Sequence, residues 1–420
     1  MLTHVLLAAL PVLTQPSESP QAPVPLDLRG ALDRARSANP ILKAARARVE
    51  ERKGITTSTR ADALPQVALS GDFARSREVS LPAPAASPSN TYTTQVSLSQ
   101  PLFHWGRFSQ ATRIAKMGEQ EAAHAFTTTE LDVLHGAARA YIDVLIAQAD
   151  LEVIRARRDV AERFLRDIKA KREVQMVTEL DRLRAQSEYL AVVPENLQAE
   201  ARFKRALETL NGQLGLNPRT PLQLGDPGEP IIDSIPAATK RSEIAQHEAQ
   251  EQMHRMNDRV LQSELLPAFD FNASYGYQTQ TTSQLFKEPF ETWRVAVSMR
   301  FPIFDGLRTS GKRAQNRAQL EQVVQSRIDK ERAIDVEGSS AERELQNALA
   351  FREAAQAAHQ AASEALRNSR ESFDQGLITS LDQLQAERTE RQQESQRRNA
   401  QLGVWTAWFA LRRAGGLPPL

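Results

Sequence analysis

Phe269-Asp270-Phe271-Asn272-Ala273-Ser274-Tyr275-Gly276-Tyr277-Gln278 is followed, across the polar loop Thr281–Glu288, by Thr292-Trp293-Arg294-Val295-Ala296-Val297-Ser298-Met299-Arg300-Phe301. Both stretches alternate with period two, so each predicts a strand with one apolar and one polar face. In the first, Phe269, Phe271, Ala273, Tyr275 and Tyr277 oppose Asp270, Asn272, Ser274, Gly276 and Gln278. In the second, Trp293, Val295, Val297, Met299 and Phe301 oppose Thr292, Arg294, Ser298 and Arg300. A strand pair joined by a polar loop is a hairpin. Strands of about 8–10 residues, apolar outside and polar inside, are what a transmembrane β-barrel is made of.

The pattern occurs twice. Gln66–Ala74 sets Val67, Leu69 and Phe73 against Gln66, Ser70 and Asp72, and Tyr92–Ser99 sets Tyr92, Val96 and Leu98 against Thr93, Gln95, Ser97 and Ser99. The two hairpins are therefore expected at about residues 66–77 with 91–103, and 268–280 with 290–304. The flanks repeat as well. Ala63-Leu64-Pro65 answers Leu265-Leu266-Pro267, His135-Gly136-Ala137 answers Glu337-Gly338-Ser339, and Val177-Thr178-Glu179-Leu180-Asp181 answers Ile378-Thr379-Ser380-Leu381-Asp382. The matches lie about 200 residues apart in one order, which indicates an internal duplication. The expected organisation is a first repeat at 23–213, a proline-rich linker at 214–240, a second repeat at 241–414 and a short tail at 415–420.

Aromatics crowd the strand ends: Phe103 and Trp105 after the second strand, Trp293 at the start of the fourth, Phe301 and Phe304 at its end. Aromatic girdles mark membrane interfaces. Four strands cannot close a barrel, because the smallest have about eight. An open strand edge is not tolerated in lipid. Several copies must then share one barrel.

Two stretches of about 70 residues without proline, Gly106 to Val174 and Gly306 to Gln375, predict helices of about 100 Å. Leu131, Leu134, Ala138, Tyr141 and Leu145 step by 3 and 4, as a coiled-coil seam does. Shorter helices are expected at Leu28–Ala61, Glu179–Leu214, Arg241–Leu265 and Ser380–Ala414, with Pro194 kinking one of them. Two short helices end to end match one long helix, so each repeat reads as a long helix flanked by stacked short ones. Such a wall would prolong the barrel as a tube.

The rest of the composition excludes more than it names. The chain has 420 residues, a formal net charge of +1 and no cysteine, so no disulfide, thiolate metal site or lipid-modified cysteine is available, and no bulk charge recruits nucleic acid. Val5–Leu13 is too short to span a bilayer and reads as the core of a signal peptide at 1–22. Of the seven histidines, the pairs His247/His254 and His124/His135 do not read as a metal site, and no nucleotide loop or nucleophile motif occurs. No cofactor is expected, and an enzyme is the weakest reading. A periplasmic coiled-coil adaptor or scaffold without a pore is the alternative; it lacks a use for two strand pairs.

Ala38-Asn39-Pro40-Ile41-Leu42, Ser97-Leu98-Ser99-Gln100-Pro101-Leu102-Phe103 with Gly106, Phe301-Pro302-Ile303-Phe304-Asp305-Gly306, and Gly376-Leu377-Ile378-Thr379-Ser380-Leu381-Asp382 with Ala386 together resemble the TolC family of outer-membrane efflux proteins. The resemblance implies a homotrimer with a twelve-stranded barrel in outer-membrane lipid and a helical tunnel in the periplasm. It implies partners, namely a periplasmic adaptor and an inner-membrane pump, and a role in drug efflux, metal efflux or protein secretion. The helix tips would meet the adaptor: Met176, Val177 and Thr178 in one repeat, Gly376, Leu377, Ile378, Thr379 and Ser380 in the other. Asp382 and Asp181 fall where the family places acidic residues at the periplasmic aperture. Gln385 stands where some members have a second acid, and Phe373 where some have a tyrosine lock. Gln175 replaces the glycine expected at the first turn.

Overall fold

The computed structural model describes residues 24–77, 89–232, 241–375, 377–378 and 380–420. The expected signal peptide at 1–22, the turn residues Gly376 and Thr379, and the side chain of Ser380 lie outside the described residues. In chain order the elements are β1 (Val24–Leu26), α1 (Leu28–Ala38), α2 (Pro40–Ala61), β2 (Gln66–Ser76), β3 (Ser89–Phe103), α3 (Arg107–Glu173), α4 (Glu179–Gln213), β4 (Leu222–Leu224), α5 (Ser242–Ser263), β5 (Ala268–Thr279), β6 (Glu291–Arg300), α6 (Arg308–Asp374) and α7 (Ser380–Ala414).

Four strands form one antiparallel sheet in the order β2-β3-β5-β6, which leaves β2 and β6 as open edges. The helices follow that order. Next to the sheet α2 packs on α3, α3 on α5 and α5 on α6; farther away α4 packs on α3, α3 on α7 and α7 on α6. Each helix continues the strand it joins, so the strand order becomes the helix order. The long α3 and α6 run through both halves, 67 residues or about 100 Å each, while α2 and α4, and α5 and α7, stack end to end beside them.

The strand exits use the same device twice. Trp105 and Gly106 have φ of 52° and 75°, and Gly306 and Leu307 have 66° and 64°, so two left-handed residues turn each strand into its long helix. A non-glycine residue in this region costs roughly 1–2 kcal/mol. At Trp105 the indole donates to the Pro267 carbonyl at 2.8 Å and fixes the turn on the neighbouring strand entry.

The midpoint of the helical wall carries the largest core. Leu134, Ala138, Tyr141, Ile142, Leu210, Leu214, Val404, Trp408 and Phe409 are buried together there. The Tyr141 hydroxyl lies 2.7 Å from the Gly225 carbonyl and 3.0 Å from that of Leu26, which ties α3 to both strands of the parallel β1–β4 pair. The tail folds back over the same place: Leu417 O accepts from His135 Nε2 at 2.8 Å, and Pro418 O from Arg412 Nε at 2.6 Å.

Several expectations need correction. Leu28–Ala61 is not one helix. Pro40 disfavours a helical conformation for the residue before it, and Asn39 is extended (ψ 126°), accepts from Ile41 N at 2.8 Å as the cap of α2, and donates to Gln213 O at 2.8 Å. The fourth strand spans Glu291–Arg300, not 290–304, so Phe301 and Phe304 lie beyond the sheet on the link to α6. Within the linker at 214–240, Leu222–Leu224 pairs in parallel with Val24–Leu26, a contact the sequence did not announce. Pro194 does not interrupt a helix: α4 is continuous across it.

Candidate functional site: a two-faced sheet and a pair of helix tips

The register sorts the sheet by chemistry. On one face the rows are Phe73–Tyr92, Gly71–Thr94–Tyr277–Glu291, Leu69–Val96–Tyr275–Trp293, Val67–Leu98–Ala273–Val295, Gln100–Phe271–Val297, and Phe103–Phe269–Met299, mostly apolar with Thr94, Glu291 and Gln100 as exceptions. On the other they are Asp72–Thr93–Gln278, Ser70–Gln95–Gly276–Thr292, Ala68–Ser97–Ser274–Arg294, Gln66–Ser99–Asn272–Ala296 and Asp270–Ser298. Side chains of one row share a face, so alternation along single strands becomes one apolar and one polar wall. No described residue covers the apolar wall: Leu69 is 74% exposed, Trp293 72% and Val297 63%. A soluble sheet buries that face; a lipid-facing one does not.

Aromatics sit at both ends of the apolar wall. Phe73 stacks on Tyr92 at 4.9 Å, and Tyr275, Tyr277 and Phe286 form edge-on contacts near the hairpin tips, on the same side as Trp293. Phe103 packs on Trp105 at 5.0 Å at the helical end, with Phe301 and Phe304 exposed just beyond the sheet. From Tyr92 to Phe103 is about 36 Å along the strand, or about 28 Å along a barrel axis for a tilt near 40°. That is close to the ~25 Å apolar band of outer-membrane barrels. The sequence placed Phe73, Tyr92, Tyr275 and Tyr277 on apolar strand faces but did not mark them as a border, and it missed Phe286; the register shows that they gather toward the hairpin-tip end of the sheet.

Gly276 shows how close the strands run on the polar face. A Cβ there would stand 2.1 Å from Thr94 O and 2.6 Å from Gln95 Cα. The position admits only glycine.

At the far end the two helical hairpins turn in the same way. In the first, Met176 N donates to Lys171 O at 2.9 Å and Gln175 N to Arg172 O at 3.0 Å; in the second, Leu377 N donates to Ser372 O at 2.9 Å. The six-to-one bond is the mark of a Schellman turn. Gln175 takes φ 60° and so closes the turn where glycine was expected, at a local cost. Gln175→Gly is therefore expected to stabilise the first tip by up to about 1 kcal/mol, read as slower tip proteolysis with unchanged fold.

Thr178 and Asp181 form a complete capping box. Asp181 N donates to Thr178 Oγ1 at 3.2 Å, while Asp181 Oδ2 accepts from Thr178 N at 3.0 Å and Thr178 Oγ1 at 2.6 Å. These bonds, the hydroxyl's first, hold the Asp181 carboxyl below its ordinary pKa. Asp382 occupies the matching third position of α7 and is exposed, as is Gln385 one turn on. Phe373 ends α6, partly exposed. Met176 and Leu377 present their apolar side chains to solvent at the tips, whereas Val177 packs against the small cluster of Leu165, Ile168 and Ala185.

The two repeats meet below the midpoint along a thin seam. Helix α3 offers Ala149, Val153, Ala156 and Val160, and α7 offers Gln385, Arg388, Ser395 and Arg398. Cavities of about 370 and 550 Å³ lie along it. Polar bonds cross it: Arg388 Nη2 to Glu188 Oε1 at 2.6 Å and Asn399 Nδ2 to Asp150 Oδ1 at 2.9 Å. Sequence reading did not single out Glu188 or Arg388. Among the described residues no group of His, Asp and Glu could hold a metal ion, and no helix is long and apolar enough to cross a membrane.

An unclothed apolar sheet with aromatic borders, set on a wall of long helices, defines a membrane β-barrel channel component. The chain belongs to the outer membrane efflux protein family, whose model matches residues 31–216 and 236–417. It is 24% identical over 249 residues to the pyoverdine export outer membrane protein OpmQ of Pseudomonas aeruginosa, covering 56% of this chain and 51% of OpmQ. It is 23% identical over 272 residues to the outer membrane protein TolC of Vibrio cholerae, covering 60% of this chain and 59% of TolC. The matches thus span little more than half the length of these curated relatives. The CmeC outer membrane channel of Campylobacter jejuni shares the fold with a TM-score of 0.80 at 18% identity, over 93% of this chain and 86% of CmeC. The family and its solved neighbours are channels rather than enzymes.

Proposed function

We propose that the chain is one third of a trimeric outer-membrane exit duct that passively conducts solutes delivered by an inner-membrane pump through a periplasmic adaptor. One observation carries it: the four-stranded sheet exposes an apolar face and two unpaired edges, β2 and β6. Lipid offers no hydrogen bonds to those edges, so neighbouring copies must pair them. Two copies would give eight strands, whose interior side chains fill. Three give twelve and leave an aqueous lumen.

The helical wall supports the same closure. On α4, at one border of the lower wall, Leu183, Leu190 and Leu197 repeat every seven residues and are exposed, and on α6, at the other border, so is Phe351. A seam of this kind is half of a coiled-coil interface, and the next copy's α6 supplies the other half. Apolar tips at Met176 and Leu377 fit an adaptor. The thin polar seam between α3 and α7 is where one hairpin could swing from the other to widen the mouth.

Extraction of the outer membrane with detergent is the test. A trimer that forms ion-conducting pores in planar bilayers supports the duct; a soluble or peripheral monomer sinks it. Three copies of Asp382 at the tips form an acidic ring in this reading. Asp382→Ala is then expected to weaken block of the pore by divalent and trivalent cations by roughly tenfold or more. Undiminished block removes Asp382 from the aperture. Asp181, already committed to its capping box, should contribute less to block and more to the stability of α4.

A further inference from the structure

The polar face of the sheet carries its charge unevenly. Among the described residues, Arg294 is the only charged side chain in the three middle rows, Ser70–Gln95–Gly276–Thr292, Ala68–Ser97–Ser274–Arg294 and Gln66–Ser99–Asn272–Ala296. Its row partners are two serines and an alanine, too short to reach a guanidinium. The acids on this face lie elsewhere. Asp72 sits two rows toward the hairpin tips, and Asp270, two rows toward the helices, is bonded to His104 Nε2 at 2.8 Å. Arg294 is exposed, and no hydrogen bond or ion pair joins it to a described residue. An arginine that is alone among the otherwise neutral middle rows of this face makes no bond that holds the sheet together.

We propose that Arg294, repeated by each copy, forms a cationic ring at mid-height of the barrel and makes that part of the duct favour anionic solutes. This rests on the trimeric duct proposed above. Twelve strands about 4.8 Å apart and tilted near 40° enclose a radius of about 12 Å. An extended arginine reaches roughly half of that. Every point of the cross-section then lies within about one Debye length, some 8–10 Å, of a guanidinium. The low-dielectric wall of strands and lipid concentrates the field in the aqueous lumen. The acidic helix tips are about 100 Å away along α3 and α6, so the two ends of the duct act on permeating ions independently. Asp72 lies on the opposite edge strand, which the next copy brings beside β6. It trims the ring's potential without cancelling it, because it sits nearer the outer mouth.

Reversal potentials across a potassium chloride gradient test this. The full-length trimer is used with Asp382→Ala as background, so that the tips do not dominate. Arg294→Glu is expected to lower the chloride-to-potassium permeability ratio about threefold or more, and Arg294→Gln to lower it less. Arg294→Lys should keep the ratio, as should Ser298→Gln on the same face. Conducting trimers of Arg294→Glu with an unchanged ratio overturn the ring while leaving the duct intact. No current from any trimer, the unsubstituted one included, overturns the duct and the ring together.

Discussion

Arg241→Ala is expected to destabilise the protein by about 3–5 kcal/mol, seen as a fall in the urea midpoint of its helical circular dichroism. Arg241 stands just before α5, with its side chain 3% exposed. Its Nη2 lies 2.6 Å from Glu243 Oε1 and its Nη1 2.6 Å from Glu337 Oε2, with the Ala414 carbonyl at 3.5 Å. Glu243 also accepts from Arg413 at 3.1 Å, and Arg413 reaches Asp132 at 2.6 Å. One cluster thus joins the start of α5, the middle of α6, the end of α7 and, through Asp132, α3. It sits at the joint where α5 and α7 abut. Truncating one member strands the others: Glu243 stays buried with a single cation, and the cost is that of an uncompensated charge rather than of one lost bond. Arg241→Lys keeps the charge but not the forked geometry and should fall between.

The same cluster sets a pH dependence. Burial would raise the pKa of Glu243; the hydrogen bonds and charge of Arg241, with help from Arg413, outweigh it and hold the carboxyl at about 2, against an ordinary 4.5. A depressed carboxyl adds stability that is complete above the unfolded value and is lost as pH falls through the folded one. The stabilisation should therefore disappear between about pH 4.5 and pH 2. Without Arg241, burial acts with less opposition, so the loss should begin at a higher pH. An unshifted acid limb in Arg241→Ala would mean that Arg241 does not hold Glu243 ionised.

How much of this could be read from the chain alone depends on the range of the forces involved. The strands were legible because alternation is local: Phe269–Tyr277 and Trp293–Met299 declare their faces residue by residue. The long helices were legible from an absence of breakers and from the repeated turn. The break at Asn39 was missed although its cause is local, because Asn39-Pro40 served as a family signature and not as a cap followed by a proline. The pairing of β1 with β4 was not legible, since three-residue strands 198 residues apart leave no periodic trace (Val24 pairs with Leu222). The ion cluster was equally invisible: Asp132 and Arg413 are 281 positions apart. At the tips, Thr178-Glu179-Leu180-Asp181 carries the spacing of a capping box, so the bonding of Asp181 could have been foreseen. Arg294 could be assigned a face from sequence, but its isolation at mid-height needed the register of three strands.

Val297→Lys is expected to cost about 2–4 kcal/mol per copy, and each trimer carries it three times. Val297 pairs with Phe271 on the apolar wall, one row from Val295 and Ala273, and is 63% exposed with no described segment over it. If that wall meets lipid, the new ammonium must be buried in hydrocarbon or must snorkel toward the helical border of the band, and either is costly. Ser298, the next residue, pairs with Asp270 on the polar wall, and Ser298→Lys places the same charge in the lumen at little cost. The pair places the same charge at adjacent strand positions on opposite faces; the extra loss of strand propensity in Val297→Lys is at most about 1 kcal/mol, smaller than the cost expected from lipid. Refolding into lipid vesicles should give far fewer trimers for Val297→Lys than for Ser298→Lys. Equal yields would mean that neither face touches lipid, and the sheet would then have to be covered by protein. The apolar wall extends over all four strands, with Leu69–Val96–Tyr275–Trp293 and Val67–Leu98–Ala273–Val295 apolar throughout, so a cover of that kind would need another apolar layer of similar size. The helices cannot supply it, because each is already engaged with its neighbours below the sheet.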